Sequence, residues 1–190
     1  MESKMSFYDF WVWDEPQLTT EEIKLANKQI NEKYFDIEDP SDGAQELDGS
    51  LKKNIKPKRI YLGDHTTPIK NLVQKVIRTC HCEFGFVTFP PNIYDITLQN
   101  VYSSKIKGHY GAHTDSSRST IFDTKMTMLI NLSEGTYTGG ELIINQQPAE
   151  KFRTPGSVVL FKSHLWHEVK PVTDGDRISL AYFINGPKFN

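Results

Sequence analysis

Three side chains in the second half of the chain have the types and spacing to hold one divalent metal. In Gly108-His109-Tyr110-Gly111-Ala112-His113-Thr114-Asp115 a histidine and an aspartate stand two apart. On a β-strand, residues two apart leave the same face, so His113 and Asp115 can reach a single ion. A second histidine opens the run His167-Glu168-Val169-Lys170-Pro171-Val172-Thr173-Asp174-Gly175-Asp176-Arg177. Imidazole nitrogen and carboxylate oxygen are ligands of mixed hardness that suit iron(II), and three of them fill one face of an octahedral ion. The other three positions stay open. A bidentate 2-oxo acid fills two and dioxygen the third. The far carboxylate of such an acid needs a cation, and the arginine fork offers it two parallel charge-assisted hydrogen bonds. Arg177, at the head of an apolar strand, is the candidate.

Each of these residues has a plainer reading. His113 and Asp115 alone fit a surface pair in a hydrophilic turn, and only the ordered succession with His167 and Arg177 favours a metal. His167 could be a core histidine beside Leu165 and Trp166. His164 is the rival ligand, but it lies an odd number of positions from His167 and would face the other way on a strand. His109 shares the His113 face on a regular strand and lines the mouth or stands exposed. His65 and His81 have no ligand spacing to the trio. Cys80-His81-Cys82 resembles a metal tract, yet residues i and i+2 do not share a helix face. Arg118 reads as a solvated arginine, or as a contact for substrate.

The elements that must position these residues divide the chain in two. Residues 1–84 carry helical signals. Thr19 and Glu22 have the spacing of a capping box, with Ile23, Ala26 and Ile30 on one face. Pro68 suits a first helical turn, and Ile69, Leu72, Val73, Val76, Ile77 and Cys80 form one stripe after it. The polar stretch 36–64 between the helices, with Lys52, Lys53, Lys56, Lys58 and Arg59, reads as a solvated loop; a lid is the sharper alternative. The aromatic start, Phe7, Tyr8, Phe10, Trp11 and Trp13, reads as a strand packed on a sheet. From Gly85 onward the pattern is short strands, at 85–89, 94–102, 108–115, 126–133, 140–145, 150–153, 157–162, 165–170 and 177–184. Gly and Pro turns separate them. Many short strands argue for a sandwich or jelly roll, with the helices backing one sheet. The expected class is α+β, mainly β.

A length of 190 residues suits a single domain. The net charge of −2 calls for neither nucleic acid nor an anionic membrane as partner. The N-terminus lacks a signal-peptide core, and no run is long enough for a membrane span, so a cytoplasmic protein is expected. Two cysteines two residues apart exclude a disulfide framework.

The ordered text also resembles a known family. His-x-Asp, then about fifty residues to a histidine and ten more to an arginine, is similar to the 2-oxoglutarate/Fe(II)-dependent dioxygenases. The detail resembles the prolyl 4-hydroxylase branch. It is carried by Tyr102, His113-Thr-Asp115, Thr127 to Leu132, Gly139-Gly-Glu-Leu142, Pro155 to Phe161, and His167 to Arg177, over roughly residues 95–187. The resemblance implies a double-stranded β-helix with iron in its mouth. Its cofactors would be Fe(II), 2-oxoglutarate and O2, with ascorbate as reductant and succinate and CO2 as products. It places Tyr102 near the co-substrate and makes Leu129, Leu142 and Val169 walls of its pocket. Asn131 falls where some prolyl hydroxylases carry a tyrosine that helps bind the far carboxylate. Phe183 falls where some members have tryptophan. The presence of Asp115 favours hydroxylation over halogenation.

The expected reaction is hydroxylation of an unactivated C–H bond, with a peptidyl prolyl side chain as the first guess and a protein or peptide as partner. A small molecule or a nucleobase stays open as substrate. A zinc hydrolase would not explain Arg177. A non-catalytic cupin-like protein that binds a metal or small acid would keep the fold without the oxidation.

Overall fold

The computed structural model describes residues 9–38, 54–116 and 119–188. Phe7, Tyr8, Lys52, Lys53, Arg118 and most of the polar stretch 36–64 lie outside the described residues. The helices form where the sequence placed them. Helix α1 spans Thr20–Lys33. The Thr19 hydroxyl accepts from the Glu22 backbone N–H at 3.3 Å, and the Glu22 carboxylate accepts from the Thr19 N–H at 2.8 Å, closing the capping box. Helix α2 spans Thr67–Phe84 with Pro68 in its first turn, and it stops at Gly85, whose φ of 68° is left-handed.

The strands are β1 (Phe10–Val12), β2 (Lys56–Tyr61), β3 (Ile96–Ser103), β4 (Tyr110–His113), β5 (Asp123–Asn131), β6 (Thr138–Gly139), β7 (Leu142–Ile144), β8 (Gln147–Pro148), β9 (Val158–Lys162), β10 (His167–Val169), β11 (Val172–Asp174) and β12 (Asp176–Gly186). They form a six-stranded sheet in the order β1-β9-β5-β12-β3-β2, a four-stranded sheet β4-β10-β7-β8 and a two-stranded ladder β11-β6. Every pairing is antiparallel. This is the jelly roll expected from the strand count, with both helices on the outer face of the larger sheet.

Alternation along the central strands builds two cores. Met126, Met128 and Ile130 of β5, Leu160 of β9, and Leu180, Tyr182 and Ile184 of β12 pack with Ile23, Ala26 and Ile30 of α1 and the stripe of α2. Leu129, Val159, Phe161 and Ala181, from the opposite face of the same strands, pack with Leu142, Ile144, Phe152 and Val169. The second core lies between the sheets and surrounds the candidate site. Gly156 ties the turn before β9 to the segment ahead of α1. Its φ is +83° and a Cβ there would sit 2.2 Å from the Leu18 carbonyl oxygen. Its own carbonyl accepts from the Gln17 N–H at 2.8 Å, just ahead of α1.

One loop expectation and two strand expectations fail. Lys56–Tyr61 is not loop but β2, the edge strand of the larger sheet, paired along its length with β3. Residues 85–89 join no ladder. Residues 150–153 form a short 3-10 turn that buries Phe152.

Candidate metal centre and its cavity

Strand pairing brings the trio together. β4 and β10 are antiparallel neighbours, and His113 stands directly opposite His167. Asp115 follows β4, where its backbone N–H donates to the Ser163 carbonyl at 2.8 Å. His113 Nε2 lies 3.5 Å from Asp115 Oδ1, and His167 Nε2 lies 3.3 Å from Oδ2. Ligand atoms of the three residues fall within 4.8 Å of one another, the one such group of histidine, cysteine and acidic residues among the described residues.

The outer nitrogens fix the tautomers. His113 Nδ1 lies 2.8 Å from the Gly111 carbonyl oxygen and His167 Nδ1 lies 3.1 Å from that of Leu165. A carbonyl oxygen only accepts, so each Nδ1 carries the proton and each Nε2 presents a lone pair to the common centre. Tyr110 stacks on the His113 ring at 4.0 Å between centroids, and Phe161 flanks the His167 ring at 4.6 Å. Burial holds the His167 imidazole below its ordinary pKa and so keeps it neutral, as a ligand must be. Burial pushes the Asp115 carboxyl up, opposed by neighbouring His113 and by the Thr127 hydroxyl. A cation at the centre would relieve that cost.

The trio opens into a cavity of about 240 Å³. That is below the ~300–1,000 Å³ of clefts for drug-sized ligands and suits a small acid. Tyr102, Leu129, Leu142 and Val169 line it, as does Phe183. Burial pushes the Tyr102 phenol up, which keeps it a neutral donor. Arg177 does not itself line the cavity; it stands behind the lining residues Tyr102 and Ser179 and is only 1% exposed. Its guanidinium is sandwiched, 5.0 Å from the Tyr102 ring centroid and 5.5 Å from that of Phe152. Gly140 makes room for it, since a Cβ there would stand 3.0 Å from Arg177 Cδ. Nη1 donates to Ser179 Oγ at 3.3 Å, while buried Nη2 finds no partner among the described residues. A buried charged donor without an acceptor is costly, and a carboxylate is the group that satisfies it. The donor set therefore fits both groups implied by the sequence, a ferrous ion at the trio and a dicarboxylic 2-oxo acid reaching from it to Arg177.

One expected site residue stands elsewhere. Asn131 does not line the cavity. Its amide donates to the Phe152 and Arg153 carbonyls at 2.9 and 3.0 Å, and its Oδ1 accepts from the Ser133 N–H at 3.0 Å. With these partners it has no free arm for a carboxylate, and it acts as a post beneath the turn that carries Phe152. The rival histidines also lie apart. His164 is exposed in a turn, and exposed His109 turns Nδ1 towards the Lys107 carbonyl. His65 is buried against Thr97, and exposed His81 faces Thr88. Sequence reasoning missed Leu98, Asn100 and Ser179 in the cavity wall, and Thr127, whose hydroxyl lies 2.8 Å from Asp115 Oδ2. A polar residue at an inward position of an apolar strand was the available signal for Thr127 and Ser179.

Comparison with known proteins agrees with this geometry. Residues 98–185 match the model of the 2OG-Fe(II) oxygenase superfamily. A PKHD-type hydroxylase of Prochlorococcus marinus (strain MIT 9301) is 31% identical over 167 residues, covering 85% of this chain and 72% of that protein. The chain belongs to the 2OG-Fe(II) oxygenase superfamily. A PKHD-type hydroxylase of Nitrosomonas eutropha shares 36% identity with this oxygenase over 96 residues, 45% of this chain and 41% of that one. Two solved structures share the oxygenase fold. A Pseudomonas putida prolyl-4-hydroxylase superposes with a TM-score of 0.66 at 13% identity, covering 97% of this chain and 96% of that one. The viral collagen prolyl hydroxylase of Paramecium bursaria Chlorella virus-1, in complex with 2OG, gives 0.68 at 14%, covering 97% and 99%.

Proposed function

We propose that this 2OG-Fe(II) oxygenase hydroxylates a peptidyl side chain, with proline the first candidate, and that residues 1–190 work as one catalytic domain. One juxtaposition carries the site assignment. Three ligand atoms converge at one end of a small cavity, and a buried guanidinium with an unpartnered N–H lies against its wall. His113 and His167 hold the iron through Nε2, and Asp115 through a carboxylate oxygen. Arg177 receives the far carboxylate of 2-oxoglutarate. Tyr102 offers its neutral hydroxyl beside that acid, while Leu129, Leu142 and Val169 keep water from its chain. Bound iron, 2-oxoglutarate and dioxygen supply the oxidising power, with succinate and CO2 as co-products. The choice of a prolyl target is supported by the PKHD-type hydroxylase relatives and by the two prolyl hydroxylases that share the fold.

The test is succinate formation by purified protein with Fe(II), ascorbate, oxygen and 2-oxoglutarate, with and without a proline-rich peptide. Succinate that needs iron and oxygen and rises with peptide supports the reading, and hydroxyproline in the peptide completes it. Succinate that the peptide leaves unchanged overturns the prolyl assignment and points to a small molecule. Absence of succinate from protein that binds iron overturns catalysis in favour of a metal-binding role.

A further inference from the structure

Asp115 is held at its backbone by Ser163 and at its carboxylate by Thr127, which Ser163 also touches. Its backbone N–H donates to the Ser163 carbonyl at 2.8 Å. Its Oδ2 lies 2.8 Å from Thr127 Oγ1, which in turn lies 3.0 Å from Ser163 Oγ. Thr127 and Ser163 are both fully buried. In its metal-binding form a carboxylate only accepts, so the single hydroxyl proton of Thr127 goes to Asp115. Thr127 Oγ1 can then only accept from Ser163, which makes the chain one-directional, Ser163 to Thr127 to Asp115. Both hydroxyls sit among apolar side chains of β5 and β9, where a hydroxyl costs stability unless it is bonded. Packing alone does not call for them there.

We propose that Thr127, oriented by Ser163, is a positioning residue that fixes the Asp115 carboxylate and favours its ligation through Oδ1 alone. The proposal rests on the assignment of Asp115 as a ligand. Two imidazoles and one carboxylate oxygen leave three positions of an octahedral ion open, which is what a bidentate 2-oxo acid and dioxygen need. A carboxylate that closed on the metal with both oxygens would take one of them. The Thr127 hydrogen bond occupies a lone pair on Oδ2 and draws charge from it. It also locks the carboxylate against rotation about its Cβ–Cγ bond. Oδ1, 3.5 Å from His113 Nε2, keeps both its lone pairs for a metal, while Oδ2, 3.3 Å from His167 Nε2, has one already engaged by Thr127.

The experiment is titration of metal-free protein with Co(II), followed by its visible absorption. Intensity and position of those bands report coordination number and geometry without turnover. D115A tests the underlying assignment: if it binds Co(II) as wild type does, Asp115 is not a ligand and that assignment fails on its own. With D115A defective, T127V is expected to weaken Co(II) binding about 10–100-fold, the usual cost of losing an outer partner of a metal ligand, and to alter the band intensity. T127S restores the hydroxyl and should recover both to within a few-fold of wild type. S163A should shift both in the same direction as T127V, because it removes the group that orients Thr127. The thermal midpoint of each metal-free variant separates loss of fold from loss of positioning, and S163A carries the test if T127V does not fold. Wild-type affinity and spectrum in folded T127V and S163A, beside a defective D115A, overturn the proposal.

Discussion

Arg177 is a large cation that the fold holds fully buried behind the cavity. It packs between Tyr102 and Phe152 and donates from Nη1 to Ser179, while Nη2 keeps its N–H groups for a ligand. Arg177→Met keeps much of the volume and removes the charge. Charge-assisted hydrogen bonds contribute about 1.5–3 kcal/mol each, so the 2-oxoglutarate concentration needed for half-maximal succinate formation should rise roughly 10- to 150-fold. The metal-free protein should melt no lower than wild type, because replacing a poorly paired buried charge by an apolar side chain is often neutral or stabilising. Melting with and without 2-oxoglutarate checks both halves. Asn131→Ala should do the reverse. It strips partners from the Phe152 and Arg153 carbonyls and from the Ser133 N–H. A stability loss of about 2 kcal/mol or more is expected in denaturant titration. Any rise in the 2-oxoglutarate requirement should stay well below that of Arg177→Met.

Strand β5 shows at the element scale how neighbouring residues divide their duties. Ile130 is fully buried on the helix side, and Leu129, next to it, lines the cavity. Ile130→Ala should cost about 2–5 kcal/mol of stability and leave the 2-oxoglutarate requirement near wild type. Leu129→Ala should instead raise that requirement, with a smaller stability loss. Paired unfolding and succinate assays separate the two. The same strands show which parts of the fold were legible. Both helices announced themselves, through the capping box at Thr19 and Glu22 and the stripe from Ile69 to Cys80. β2 did not, because Lys56, Pro57, Lys58 and Arg59 fill an edge strand with charge and hide its two buried positions, Pro57 and Ile60. The run 85–89 misled for the opposite reason. Its apolar side chains are largely exposed, Val87 at 70% and Phe89 at 45%, and no ladder takes them up. At the site, the convergence of His113, Asp115 and His167 was legible because ligand chemistry restricts residue type. Asn131 was misjudged because register on a strand sets a face, whereas the 150–153 turn decided what that face meets.

At the scale of the whole molecule, His65 ties stability to acid. Burial holds its imidazole down to about 4 from an ordinary 6.5, with Asp64 opposing and Lys70 adding to the effect. The unfolded chain takes up this proton as pH falls through about 6.5, while the folded protein refuses it until about 4. Stability therefore declines between those values and this contribution levels off below them, by about 3 kcal/mol in total. His65→Asn should flatten that part of the pH–stability curve in denaturant titrations. Among the described residues no helix is long and apolar enough to cross a membrane.

The two cores on either side of the larger sheet have a historical consequence. Met126, Met128 and Ile130 answer to the helices, and Thr127, Leu129 and Asn131 answer to the site and the turn behind it. Codons that keep the product folded and codons that keep its cofactor pocket therefore alternate along this strand. Along β5 the inheritance of architecture and the inheritance of chemistry are interleaved.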